Sequence, residues 1–256
     1  MNIAVCCKFV PSVDDLVTHD DQSVSLENAE WKINEFDLHA VEAGVALAKE
    51  TGGKLIAVTV GDSHVESSKL RKDLLSRGPD EMVVISADEL AGADPAVVSE
   101  LVAEAAEKIG ADLILCGAGS EDYYNQQTGL QIGERLGWAT VADVDSIALE
   151  GEKLVVDRLL EKKVEVLELP LPAVISVTTS INTPTRPNMR AVLAAGKKPV
   201  TVMTPEELGV DAKPAMDIIG VVAPESVDRK QVILSAEDLN VTAAELVRCL
   251  KSEGVL

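Results

Sequence analysis

Aromatic residues are scarce, with two Trp, two Tyr and two Phe in 256 residues. A chain so short of rings has little with which to build a base-stacking platform, which argues against the single-strand nucleic-acid binders that depend on one. Positive charge is short too: 23 Lys and Arg stand against 43 Asp and Glu, a formal net charge of −20. Phosphate backbones and anionic membrane surfaces are recognised by clustered cations, so neither is an expected partner. The four cysteines, Cys6, Cys7, Cys116 and Cys249, contain no Cys-x-x-Cys pair and no metal spacing, and are expected to be reduced packing residues. His19, His39 and His64 are scattered, none at metal-ligand spacing, and the two in helical segments, His39 and His64, are expected to be exposed. No apolar run reaches the ~18 residues of a membrane span. Met1-Asn2-Ile3 leads straight into a strand without a basic region and apolar run, so a soluble cytoplasmic protein is expected. Also missing are a Gly-x-Ser-x-Gly elbow, a Walker-type lysine loop and a Gly-x-Gly-x-x-Gly fingerprint. Hydrolase, P-loop and standard dinucleotide-dehydrogenase readings lose their support, and no catalytic residue is expected.

What the chain does have is the stretch from Ala111 to Gly137, ADLILCGAGSEDYYNQQTGLQIGERLG. It reads as a short apolar strand, Leu113 to Cys116, a loop opening Gly117-Ala118-Gly119-Ser120, and a helix closed by Gly137. A strand that hands its end to a helix N-terminus makes an anion site, because the first helical N–H groups lack partners and the dipole is positive there. Gly117 and Gly119 let backbone approach a ligand, and Asp122, Asn125, Gln126, Gln127 and Thr128 offer donors and acceptors for a ribose or an adenine edge. The plain alternative is a tight strand-to-helix connection. Tyr123 and Tyr124 are the only tyrosines and both fall in this loop; they either pack the helix start or border a ligand.

Around this stretch the chain alternates strand and helix signals. Ile3 to Val10 is a near-continuous apolar run, as in a strand covered on both faces. Ser12 to Trp31 is a polar excursion or a short hairpin. Phe36 to Glu50 has helical spacing, with Leu38, Val41, Val45 and Ala48 on one stripe. Strand Leu55 to Val60 follows, then a capping-box pattern at Ser63 to Glu66 that predicts a helix start. Strand Met82 to Ile85 leads to Asp94-Pro95, an N-cap and first-turn proline, and to a helix ending at Gly110. This alternation predicts an α/β fold with a mainly parallel sheet and helices on both faces, its ligands beyond the carboxyl ends of the strands. Past Gly137 the pattern changes to a hairpin about Glu150-Gly151-Glu152 and further strands at Val164 to Leu169 and Ala173 to Val177, so the sheet is expected to become mixed. Ser180 to Pro199 is a loop with a helical piece, Met189 to Ala195, and unusual basic residues, Arg186, Arg190, Lys197 and Lys198; it is either solvated or a docking site. Residues 1–205 are assigned to the nucleotide-binding domain. Residues 206–256 are read as an extended arm with an amphipathic helix starting at Thr242, whose apolar face a partner subunit could cover.

These residues carry a family resemblance. The chain resembles the β subunit of an electron-transfer flavoprotein, most closely the Fix-type and carnitine-linked branch. IAVCCKFVP resembles the first strand with its lysine, Asn34-Glu35-Phe36-Asp37 the Asn-Pro-Phe-Asp segment, and Asp122 to Gly129 the adenylate loop. The family signature falls on Val156, Arg158, Glu161, Glu165, Leu167, Pro172, Ala173, Val174, Ile175 and Ser176, interrupted by Lys162-Lys163. The resemblance implies a fold of the adenine-nucleotide α-hydrolase-like kind. It also implies a heterodimer whose α subunit holds most of an FAD, with AMP, or in electron-bifurcating members a second FAD, in the β subunit. Carried over by position, that pocket comprises Cys6, Asn34, Phe36, Asp37, Val60 and the loop from Ser120 to Gly129, including Asp122, Tyr123, Asn125, Gln126, Gln127 and Thr128. Bifurcating members often show Gly-Asp-Thr-Ala-Gln in this loop; here Asp122-Tyr123-Tyr124-Asn125-Gln126 adds two rings, and the favoured occupant is AMP. The docking segment implied for an acyl-CoA-type dehydrogenase is Arg186, Pro187, Asn188 and Arg190, with Arg186 where a leucine is common. The competing class is a stand-alone adenine-nucleotide-binding regulator of universal-stress type.

Overall fold

The computed structural model describes residues 1–151, 153–216, 218–225, 229–235 and 237–256. Glu152 of the expected hairpin and residues 217, 226–228 and 236 of the expected arm lie outside them. The opening apolar run is not a single strand. β1 (Asn2–Cys6) enters the main sheet, whereas β2 (Phe9–Pro11) leaves it to pair elsewhere. The break falls at Lys8, whose backbone N–H is taken by the Asp37 carboxylate at 2.7 Å instead of a strand carbonyl. The polar excursion that follows holds a small hairpin, β3 (Val17–Thr18) with β4 (Val24–Ser25), and returns through β5 (Trp31–Ile33), which pairs antiparallel with β2.

α1 (Glu35–Thr51) ends at Gly52 in the left-handed region, and β6 (Lys54–Gly61) follows. The buried face of α1 is Ala40, Val41, Ala43, Gly44 and Leu47, so the expected stripe is rotated: Leu38, Val45 and Ala48 are only half-buried. Gly44 explains this, since a Cβ there would meet Leu55 Cδ1 at 2.7 Å, and its absence lets the helix lie close on the sheet. His39 is buried, not exposed, with Nδ1 3.0 Å from the Asn182 carbonyl. The expected helix start at Ser63 is a single 3₁₀ turn capped by Asp62, which accepts from the His64 N–H at 2.9 Å. Glu66 is unavailable for a capping box because its carboxylate accepts from Ser86 Oγ at 2.8 Å. α2 (Ser68–Ser76) starts after that turn, followed by β7 (Glu81–Ser86) and α3 (Pro95–Ile109), whose Asp94 cap accepts from the Val97 N–H at 3.0 Å. β8 (Leu113–Gly117) and α4 (Thr128–Leu136) complete the central unit.

β9 (Ala139–Glu150), β10 (Lys153–Leu160) and β11 (Lys163–Pro170) form an antiparallel meander, and β12 (Ala173–Val177) returns to the centre. α5 (Met189–Ala195) precedes β13 (Val200–Met203), a parallel edge strand on β7 that the sequence pattern did not announce. α6 (Pro205–Leu208) opens with the Thr204–Glu207 capping box, and α7 (Leu239–Ser252), capped by Asp238, begins three residues before the expected Thr242 start. The nine-stranded sheet runs β11-β10-β9-β12-β8-β1-β6-β7-β13 and is parallel from β9 to β13, mixed at the β10–β11 end. Alternate strand residues feed two cores: Ile3, Val5, Leu113 and Leu115 pack with α1 and α2, while Ala4, Ile114 and Cys116 pack with α3 and α4. From β1 the chain steps to β6 and β7, then returns to β8 on the other side of β1. That reversal is a topological switch point, the place where open α/β sheets leave a crevice beyond the strand ends.

Candidate functional site

A cleft open to solvent lies at this switch point. Its floor is Cys6 and Cys7 at the end of β1, Val58 and Val60 of β6, Cys116 of β8 and Ser176 of β12. One wall is apolar, formed by Ala93, Pro95, Val98 and Val102 at the start of α3. The other is polar: Lys8, Asn34, Asp37, the stretch Gly117 to Ser120, Tyr123, and Asn125 to Gly129. An apolar face opposite amide and hydroxyl groups suits a flat heteroaromatic ring attached to a sugar.

Asp37 ties the cleft's two central strand ends together, since it accepts the Lys8 N–H at 2.7 Å and the Gly117 N–H at 3.2 Å. Burial pushes its carboxyl up to about 7, against the pull of donors on Lys8, Asn34 and Gly117. Gly117 has no room for a side chain, because a Cβ would sit 2.5 Å from Asp37 Oδ1 and 2.7 Å from Phe36 Cβ. Asn34 fixes the next residues, donating to the Gly119 carbonyl at 2.9 Å and accepting from the Glu121 N–H at 3.1 Å. Tyr124 packs its ring over Gly119, where a Cβ would meet it at 2.6 Å. Between Glu121 and Gln127 the chain is irregular, so α4 begins later than a direct strand-to-helix turn would place it. Two residues of this loop, Tyr124 (φ 49) and Gln126 (φ 56), are left-handed although neither is glycine. Such positions cost roughly 1–3 kcal/mol each and persist only when surrounding contacts enforce them. Gln127 offers α4 no side-chain cap, so its first N–H groups are free for an anion at the cleft's edge. Gly129 lets that helix end approach β12, since a Cβ there would collide with Ser176 Oγ.

Of the residues singled out from sequence, the fold brings together Cys6, Asn34, Asp37, Val60, Gly117, Gly119, Ser120, Tyr123, Asn125, Gln126, Gln127, Thr128 and Gly129 along the cleft. Phe36 and Asp122 do not line it. Phe36 stands behind Gly117 with its ring tilted on Tyr124 at 5.5 Å, and Asp122 is paired to Lys8 at 2.5 Å. Of the two tyrosines only Tyr123 borders the cleft, its ring 5.1 Å from Lys8 Nζ. The pocket assigned from sequence did not include Cys7, Lys8, Val58, Cys116, Ser176 or the α3 wall. Their signals were present as strand ends and as the buried stripe of α3, but which strands adjoin is a fact of topology.

Arg186, Asn188 and Arg190 are exposed and Pro187 half-buried, with the Asn188 carboxamide capping α5 at 3.0 Å from the Ala191 N–H. Met189 and Leu193 project beside them, 74% and 71% exposed. Lys198 is not part of this exposed set: its ammonium donates to the carbonyls of Leu75, in the last turn of α2, and of Gly78 and Pro79 just beyond it. The C-terminal segment leaves the domain where Asp94 accepts from Ala215 and Met216 N–H groups, and it meets the excursion hairpin at Val222 and Ala223. Beyond Val210 it exposes Ile219, Ile233, Leu239 and Val241, and α7 buries no residue. Among the described residues no helix is long and apolar enough to cross a membrane, and no His, Cys, Asp and Glu group could hold a metal ion. Residues 23–208, well over half of the chain and including the cleft-lining loop, match the family model described as the electron transfer flavoprotein domain. The chain therefore belongs to the electron transfer flavoprotein family.

Proposed function

We propose that this chain is the β subunit of a heterodimeric, cytoplasmic electron transfer flavoprotein of the Fix-type and carnitine-linked branch, a carrier and not a catalyst. The observation that carries the reading is the switch-point cleft, which sets an apolar wall against a polar loop and a helix N-terminus without a side-chain cap. Those features match an adenine, a ribose and one phosphate in turn. AMP is the proposed occupant. Asn34 and the stretch from Asn125 to Gly129 would hold its polar groups, and the α3 wall its ring. Among the described residues Lys8 is the one cation lining the cleft, which argues against a triphosphate, and Tyr123 adds bulk at the rim. Tyr124 is turned onto Gly119 and adds none. An FAD held mostly by an α partner would supply the electron-carrying flavin, with this subunit contributing one wall.

The exposed apolar residues of the C-terminal arm and α7 are proposed to bury against that α partner, because a stand-alone regulator of universal-stress type has no evident use for them. Arg186, Pro187, Asn188 and Arg190, with Met189 and Leu193 beside them, are proposed to dock an acyl-CoA-type dehydrogenase. The test is co-expression of the tagged full chain with a candidate α subunit, followed by gel filtration and an absorption spectrum. A yellow heterodimer is expected, and a chain that is colourless and poorly soluble without its partner. A soluble, colourless homodimer that binds ATP contradicts the proposal.

A further inference from the structure

The loop that lines the cleft carries backbone strain at Tyr124 and Gln126, so something outside the loop must hold it. Besides the Asn34 bonds to Gly119 and Glu121, two ion pairs join the loop to the N-terminal segment. Lys8 Nζ meets Asp122 at 2.5 Å and Lys32 Nζ meets Glu121 at 2.8 Å. Both carboxylates are on the loop and both lysines come from the N-terminal segment, one at the end of β1 and one on β5. The pairs are asymmetric in exposure: the carboxylates are 13% and 15% exposed, the lysines 42% and 38%. Burial alone would raise the Asp122 carboxyl, but the Lys8 charge, with donors on Ser120 and Tyr123, holds it below the usual range. The Glu121 partner likewise raises Lys32. Glu121 also accepts the Glu35 N–H at 3.2 Å, at the positive end of α1. Lys32 does not line the cleft.

Resting on the proposal that the cleft takes an adenylate, we infer that Lys8 and Lys32 are positioning residues, a two-point ionic latch that holds the strained loop in its binding shape. Lys8 sets affinity through Asp122 and not through a direct contact with phosphate. A latch of this kind acts on every ligand the loop touches, charged or neutral. It is weakened by salt, because partly exposed ion pairs are screened.

The experiment is titration of the purified heterodimer, stripped of the nucleotide in this cleft, with AMP and separately with adenosine, at low and high salt. K8M, K32M and D122N should each weaken AMP and adenosine by the same factor, about two- to fivefold. K8R and K32R should restore binding, and K8M/K32M together should lose on the order of tenfold. Adenosine carries no charge, so salt has no direct lever on it. A fall in wild-type adenosine affinity with salt, absent in K8M/K32M, is the signature of the latch. Three results overturn it: K32M without effect, K8M weakening AMP but not adenosine, or D122N tightening AMP by freeing Lys8 for the phosphate. A wild-type protein that binds neither AMP nor adenosine removes the adenylate reading and the latch with it. Binding of both that no variant alters removes the latch alone.

Discussion

Asp37 Oδ1 accepts the backbone N–H of Gly117 at 3.2 Å, which fastens the start of α1 to the end of β8 across the floor of the cleft. Its other oxygen holds Lys8, so one carboxyl group fixes two strand ends. That carboxyl is pushed up to about 7 by burial, whereas in the unfolded chain it ionises near pH 4. Between those values the folded state binds the extra proton, so this group's contribution to stability is full below about pH 4 and is lost as pH rises through about 7. The whole effect is at most about 4 kcal/mol. Asp37→Asn removes the titrating proton. Urea denaturation of both proteins at about pH 5 and about pH 8 should show the wild type losing more stability than the variant over that interval. Equal losses would mean that Asp37 does not titrate there.

Gly133 lies where α4 crosses β9, and a Cβ there would collide with Thr140 Oγ1 and come within 2.8 Å of its Cβ. The threonine Cβ does not move with χ1, so no side-chain rotation relieves the 2.8 Å contact. Gly133→Ala should therefore destabilise the domain by about 1–3 kcal/mol, with Thr140→Ala in the same chain recovering part of the loss. Thermal melts of the three variants check this. If the single change is neutral, α4 has slack against the sheet.

Much of this site could be read before the fold was seen, and what could not has a physical cause. The loop from Gly117 to Gly129 showed itself because glycine and amide residues lie between an apolar strand and a helix, a pattern that ligand loops share with tight connections. Lys8 was visible as a lone charge in an apolar run, but the carboxylates that turn the chain out there, Asp37 and Asp122, lie 29 and 114 residues away in sequence. The capping box at Ser63 failed because Ser86, on a neighbouring strand end, competes for Glu66. β13 stayed hidden because Val200 to Met203 is short, follows proline and is largely exposed, so no burial pattern marks it as a strand. Its strand character comes from pairing with β7.

Removing residues 214–256 should leave the α/β domain folded and abolish assembly with the proposed α partner. The reason is that α7 buries none of its residues, and Ile219 and Ile233 stand almost fully exposed at 102% and 88%. Gel filtration of the truncated chain co-expressed with its partner measures this. Recovery of an intact heterodimer would show that the arm is dispensable for assembly.

Arg186→Glu and Arg190→Glu should slow electron transfer to the proposed dehydrogenase partner while leaving flavin and nucleotide content unchanged. Both side chains are exposed beside the apolar face of α5, and rim charges act mainly on association rate. Stopped-flow reduction at two ionic strengths should show the wild-type rate falling with salt and the variants already slow. Rates that match at both would make this loop ordinary solvated surface.

The central claim is that the switch-point cleft holds an adenylate beside, and separate from, the flavin of the partner. Acid release of nucleotides from the purified heterodimer, resolved by chromatography and quantified against protein, tests it directly. One FAD and one AMP per heterodimer is the predicted result. Two FAD and no AMP would contradict it, and would make electron bifurcation the activity to measure next.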